Sequence, residues 1–84
     1  MYKILIADDE EIIGTCLEKM IDWKKIGTEV IGVALDGEEA LEIFREKMPD
    51  IVILDINMPF INGIELAGII HKERPDTKVI MLTA

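Results

Sequence analysis

Residues 49–63 read Pro49-Asp50-Ile51-Val52-Ile53-Leu54-Asp55-Ile56-Asn57-Met58-Pro59-Phe60-Ile61-Asn62-Gly63. The run 51–54 is wholly apolar, too short for a helix and without polar alternation, which is the mark of a central strand covered on both faces. Asp55 ends it abruptly. Pro59 and Gly63 then break the following segment into a loop. A carboxylate closing so apolar a strand is costly unless it is used.

Similar units lie on either side. Residues 3–7 (KILIA) and 78–82 (KVIML) read as further strands, as do residues 29–34 (EVIGVA), where Gly32 weakens the run and favours an edge. Between them the apolar period changes to that of a helix. Over 10–22 the expected inward stripe is Ile12, Ile13, Cys16, Leu17, Met20 and Ile21, with Gly14 as a weak point. Asp36 and Glu39 form a capping-box pattern before Ala40, Leu41, Phe44 and Met48, and Pro49 stops that helix and pushes Met48 towards extended geometry. Residues 64–73 supply a third helix, with Ile64, Leu66, Ala67 and Ile70 inward and Pro75 beyond its end. Cys16 is expected to be a small buried hydrophobe, and Met20, Met48 and Met81 core filler. Trp23 is expected to close the end of the first helix, and His71 to be solvated. Strands alternating with helices give an α/β chain whose strands at 3–7, 51–54 and 78–82 run parallel.

Composition narrows the function. The 84 residues allow a single domain over 1–84. A net charge of −8 argues against nucleic acid as a direct partner of this chain. No apolar run approaches the ~20 residues of a membrane span, and the start has no signal-peptide form. One cysteine cannot make an internal disulfide, so a cytoplasmic location is expected.

Ligands of parallel α/β sheets bind beyond the carboxyl ends of the strands. Asp8 and Asp9 follow the first strand, Asp55 closes the third and Thr83 follows the fourth. Each has an ordinary structural duty available: helix capping for the Asp pair, turn initiation for Asp55, plain strand membership for Thr83. In combination they point elsewhere. Converging carboxylates repel and raise one another's pKa, and a hard cation such as Mg²⁺, which takes oxygen ligands and keeps waters, relieves that repulsion.

The residues that carry this pattern match a family. Asp8-Asp9, D-G-E-E-A-L at 36–41, P-D-I-V-I-L-D at 49–55, Met58-Pro59 with Gly63, and the closing Leu82-Thr83-Ala84 together resemble the receiver domain of two-component response regulators. Within it, the start MYKILIADDEEII and the segment Ile21–Gly27 around Trp23 are similar to receivers of AraC-type transcriptional regulators. The resemblance implies a flavodoxin-like doubly wound sheet in the order 2-1-3-4 with helices on both faces. It implies Asp55 as phosphoacceptor, Mg²⁺ held by Asp8, Asp9, Asp55 and the backbone carbonyl of Asn57, Thr83 hydrogen-bonding the phosphoryl group, and Ala84 as the small residue beside it. The partner it implies is a sensor histidine kinase, and the role is control of a DNA-binding output domain. The chain then assists its own modification rather than turning over an external substrate. Asn62 stands where many relatives carry Asp and is given no catalytic part.

Measured against a receiver of five strand–helix units, the sequence reads as incomplete: the fourth helix, fifth strand and fifth helix are missing, and with them the family's phosphate-pairing Lys. An exposed edge at 78–82 and an uncovered sheet face are therefore expected to drive a homodimer or larger assembly. Two other functions fit less well. One is an aspartyl-nucleophile Mg²⁺-dependent phosphatase, for which 84 residues leave no second catalytic unit; the other is a structural or dimerisation fragment that is never phosphorylated.

Overall fold

The computed structural model describes residues 1–82. Its elements are β1 (Tyr2–Ala7), α1 (Glu11–Met20), a 3-10 turn (Trp23–Ile26), β2 (Thr28–Ala34), α2 (Gly37–Lys47), β3 (Ile51–Asp55), α3 (Gly63–Glu73) and β4 (Lys78–Leu82). All strand pairs are parallel and the order is β2-β1-β3-β4. The parallel strands are those expected from the alternating pattern, and the doubly wound order is the one implied by the family resemblance. Side chains of β1 alternate between the two faces. Leu5 and Ala7 join Val52, Leu54, Ala40, Phe44, Leu66 and Ile70 under α2 and α3, whereas Ile4 and Ile6 join Ile53, Leu17 and Trp23 under α1.

The helix termini follow local chemistry. Asp36 caps α2 by accepting the N–H of Glu39 at 2.8 Å, and Asn62 caps α3 by accepting that of Glu65 at 2.8 Å. Trp23 does close α1: its Nε1–H lies 3.2 Å from the carbonyl oxygens of both Leu17 and Glu18. Helix α1 ends at Met20, short of the expected 22, and the 3-10 turn lies beyond the expected helix.

Four expectations are corrected. Helix α1 turns only part of its expected stripe inward: Leu17 packs against the cluster of Ile4, Ile6 and Ile53, but Ile12 is 76% exposed and Met20 81%, and Cys16 is exposed too. Its buried residue is Gly14, where a Cβ would stand 2.7 Å from the Val33 side chain. The helix approaches β2 through its smallest residue, which turns the face of Gly14 and Leu17 inward rather than that of Ile12, Cys16 and Met20. Second, Met48 is exposed and left-handed rather than extended, with φ 48°, because its N–H closes α2 onto the Phe44 carbonyl at 2.9 Å. Third, Ile64 points outward, so α3 is held by Leu66 and Ile70. Fourth, Met81 is only partly buried, and the methionine that does fill the core is Met58 of the loop.

The sheet edges differ. In β2 the register with β1 shifts so that Ile31 has no partner between Val30 and Gly32. That bulge is closed by Lys47, whose Nζ donates to the Ile31 carbonyl at 3.3 Å. Strand β4 pairs with β3 alone among the described strands, and Ile80 is 50% exposed. No helix among the described residues is long and apolar enough to cross a membrane.

Candidate metal and phosphoacceptor site

β1 and β3 are adjacent and parallel, with Ala7 opposite Leu54. The residues that follow each strand therefore emerge side by side at the same edge. This register brings together acids 46 positions or more apart in sequence: Asp8, Asp9 and Asp55 each offer a carboxylate oxygen, and these oxygens lie within 4.8 Å of one another. The three differ in setting. Asp8 is 3% exposed, and its Oδ1 accepts the N–H of Glu10 at 2.9 Å. Asp9 is exposed and Asp55 half-buried. Asp8 thus performs a turn duty as well, while Glu10, at the N-cap of α1, makes no side-chain cap.

Asp55 titrates above the ordinary carboxylate value. Desolvation at the sheet edge is the main cause; the N–H of Asn57 opposes it, and the nearby Asp8 and Asp9 add to it. The Asn57 N–H stands 3.4 Å from Asp55 Oδ1. Three clustered carboxylates of like charge, one of them pushed towards its neutral form, form a donor set that suits a hard divalent cation. Mg²⁺ bonds oxygen at ~2.1 Å, so its opposite ligands stand ~4.2 Å apart. A separation within 4.8 Å matches this span with little movement.

The loop 56–62 shapes the other wall. The Gly63 N–H donates to the Ile56 carbonyl at 2.8 Å, closing the loop on itself. Met58 is buried and anchors its middle. Asn62, to which the sequence assigned no site role, is the cap of α3; the Glu65 three residues on is the signal that marks it. Thr83 and Ala84, expected beside the acids, lie outside the described residues.

Comparison with known proteins agrees with this geometry. A family model described as the response regulator receiver domain matches residues 4–84. Over 83 residues the chain is 42% identical to the uncharacterized transcriptional regulatory protein YesN of Bacillus subtilis, covering 99% of this chain and 23% of that protein. Identity to the response regulator GacA of Pseudomonas aeruginosa is 36%, over 99% of this chain and 38% of that one. The chain therefore spans well under half the length of these relatives. Among solved structures, the REC domain of the response regulator AraT from Geobacillus stearothermophilus superposes with a TM-score of 0.93 at 38% identity, over 95% of this chain and 62% of that one. The CheX–CheY complex with BeF3 and Mg from Borrelia burgdorferi gives 0.84 at 33% identity, over 95% and 60%. A match running from β1 to the last residue, on a sheet of the same order and with three acids gathered at its carboxyl edge, places this chain in the receiver domain family of response regulators.

Proposed function

We propose that the chain receives a phosphoryl group on Asp55 from a histidine kinase, with Mg²⁺ held by Asp8, Asp9, Asp55 and the carbonyl of Asn57, and so controls a DNA-binding output domain. The convergence of the three carboxylates carries this reading. An Asp55 oxygen attacks phosphorus in line; the O–P bond forms as the N–P bond of the phosphohistidine breaks, and the imidazole leaves and takes up a proton. Mg²⁺ when bound supplies neutralisation of charge on the phosphoryl oxygens. Asp8, buried and tied to the Glu10 N–H, gives the site its fixed point, and Asp55 lies open enough to meet a donor. The product stays on the chain, which distinguishes it from a phosphatase.

The test uses acetyl phosphate with Mg²⁺ and intact mass spectrometry. A gain of one phosphoryl group that Asp55→Ala abolishes supports the reading. No gain, with no beryllofluoride-induced change in the amide spectrum around Asp55, would leave a purely structural role.

Self-association belongs to the same proposal. Ile80 lies opposite Ile53 in the register and on the face that α1 serves, and it is half exposed beside an edge paired on one side only among the described strands. An apolar edge of this kind pairs with a second copy. The single cysteine supports a cytoplasmic setting.

A further inference from the structure

The loop 56–62 carries a backbone conformation that bulky residues avoid. Phe60 has φ 69°, and the Ile61 N–H donates across it to the Pro59 carbonyl at 2.8 Å. This is the rarer, strained form of the γ-turn. The Phe60 side chain is 75% exposed, so its own packing does not compensate. Strain of this sort persists only where the surroundings impose it.

What imposes it is the start of α2. The Gly37 N–H, the first of that helix, donates to the same Pro59 carbonyl at 3.3 Å. The contact is close enough to exclude any side chain: a Cβ on Gly37 would stand 2.0 Å from the Ile61 carbonyl oxygen and 2.6 Å from the Ile61 Cβ. The first of these is a backbone atom, so no rotamer change relieves it. The loop is thus held by Asp55 at one end, by Met58 in the core, by Gly37 at the turn and by Gly63 at the far end.

We infer that Gly37 is a positioning residue for the cation site: by bracing the turn at Phe60 from outside, it fixes the segment Ile56–Pro59, and with it the Asn57 backbone beside Asp55. This rests on the proposed Mg²⁺ site and extends it to a helix that contributes no ligand. It also gives the Gly of the D-G-E-E-A-L stretch a reason: any other residue there lifts the loop off α2. Because coupling between two sites is reciprocal, a cation that prefers the braced loop must in turn tighten the Gly37–Pro59 contact.

The test is a Mg²⁺ titration of the 84-residue chain followed by amide NMR, on wild type, Gly37→Ala and Gly68→Ala. Gly68 is the matched control, a helical glycine with nothing within 4 Å of its Cβ position. Gly37→Ala is expected to raise the Mg²⁺ Kd at least fivefold, with the shifts at Asp8, Asp9 and Asp55 still present at saturation. Gly68→Ala is expected to leave it within twofold. In wild type, saturating Mg²⁺ is expected to slow hydrogen exchange of the Gly37 amide more than that of the Ala40 amide, which lies inside the helix. This measurement needs no variant and stands even if Gly37→Ala does not fold. An unchanged Kd in folded Gly37→Ala, or a Gly37 amide whose exchange ignores Mg²⁺ in a wild type that binds it, would overturn the inference alone. A wild type whose acids show no Mg²⁺ response would overturn the cation site and the inference together.

Discussion

Gly63 packs directly onto the backbone of Asp55: a Cβ at Gly63 would lie 2.2 Å from the Asp55 carbonyl oxygen. The residue that opens α3 is therefore the one that closes the loop behind the proposed phosphoacceptor. Gly63→Ala must push the helix and the strand end apart. The expected cost is about 2 kcal/mol, read from the urea midpoint, together with displaced amide shifts at Asp55 and Ile56. Gly68→Ala on the same helix should instead gain stability, by up to ~1 kcal/mol. Equal behaviour of the two variants would contradict the contact.

Asp55 makes stability depend on pH. Its carboxyl titrates above the ordinary value, so between the unfolded and folded pKa values the native state binds more protons than the unfolded one. Stability then falls as pH rises through that window and is flat above it. Asp55→Asn removes this dependence and relieves the repulsion from Asp8 and Asp9. In metal-free buffer at neutral pH the variant should melt a few degrees above wild type. Mg²⁺ should narrow the gap by stabilising wild type more. A variant that melts lower in metal-free buffer would contradict the assigned repulsion.

Trp23 is expected to matter for α1 rather than for the acids. Trp23→Phe keeps the ring in its cluster but loses the donor shared by the Leu17 and Glu18 carbonyls. A loss of about 1 kcal/mol is expected, with fraying confined to the last turn of α1 in amide exchange. The Mg²⁺ Kd should not move.

Assembly is checked by light scattering at ~100 μM. A homodimer or larger species is expected, and Ile80→Lys, which places a charge on the half-exposed edge, should shift it to monomer. A wild type that is monomeric and binds no hydrophobic dye would rule the association out.

The strands themselves and the placing of acids at their carboxyl ends were legible from periodicity, whereas the order β2-β1-β3-β4 came from the family resemblance. A short apolar run with no alternation, closed by Asp55, reads as a central parallel strand, and parallel strands all deliver their following residues to one edge; that β1 with Asp8 and Asp9 is its neighbour is what the structure adds. The facing of α1 was legible only at Leu17. Hydrophobic spacing selects Ile12, Cys16 and Met20, but the distance of closest approach selects Gly14, and a small residue looks like a defect until its neighbour Val33 is known. Met48 shows a contest of local rules: the preference of a residue before proline lost to closure of the helix end onto Phe44. The ties of loop 56–62 to Gly37 and Gly63 were hidden for another reason. They join backbone atoms across elements, and no side-chain pattern records them.

The bulge at Ile31 sets a limit on stoichiometry. With that residue out of register and its carbonyl engaged by Lys47, the β2 side of the sheet offers no continuous template for an incoming strand. Among the described strands, β4 is then the edge left open to strand addition. Pairing through that edge alone would close on two molecules, because it uses the open edge of both, and a larger species would need the uncovered sheet face as well. Lys47, at the end of α2, would in this way guard the β2 side against strand addition, and its removal is the change expected to open that side.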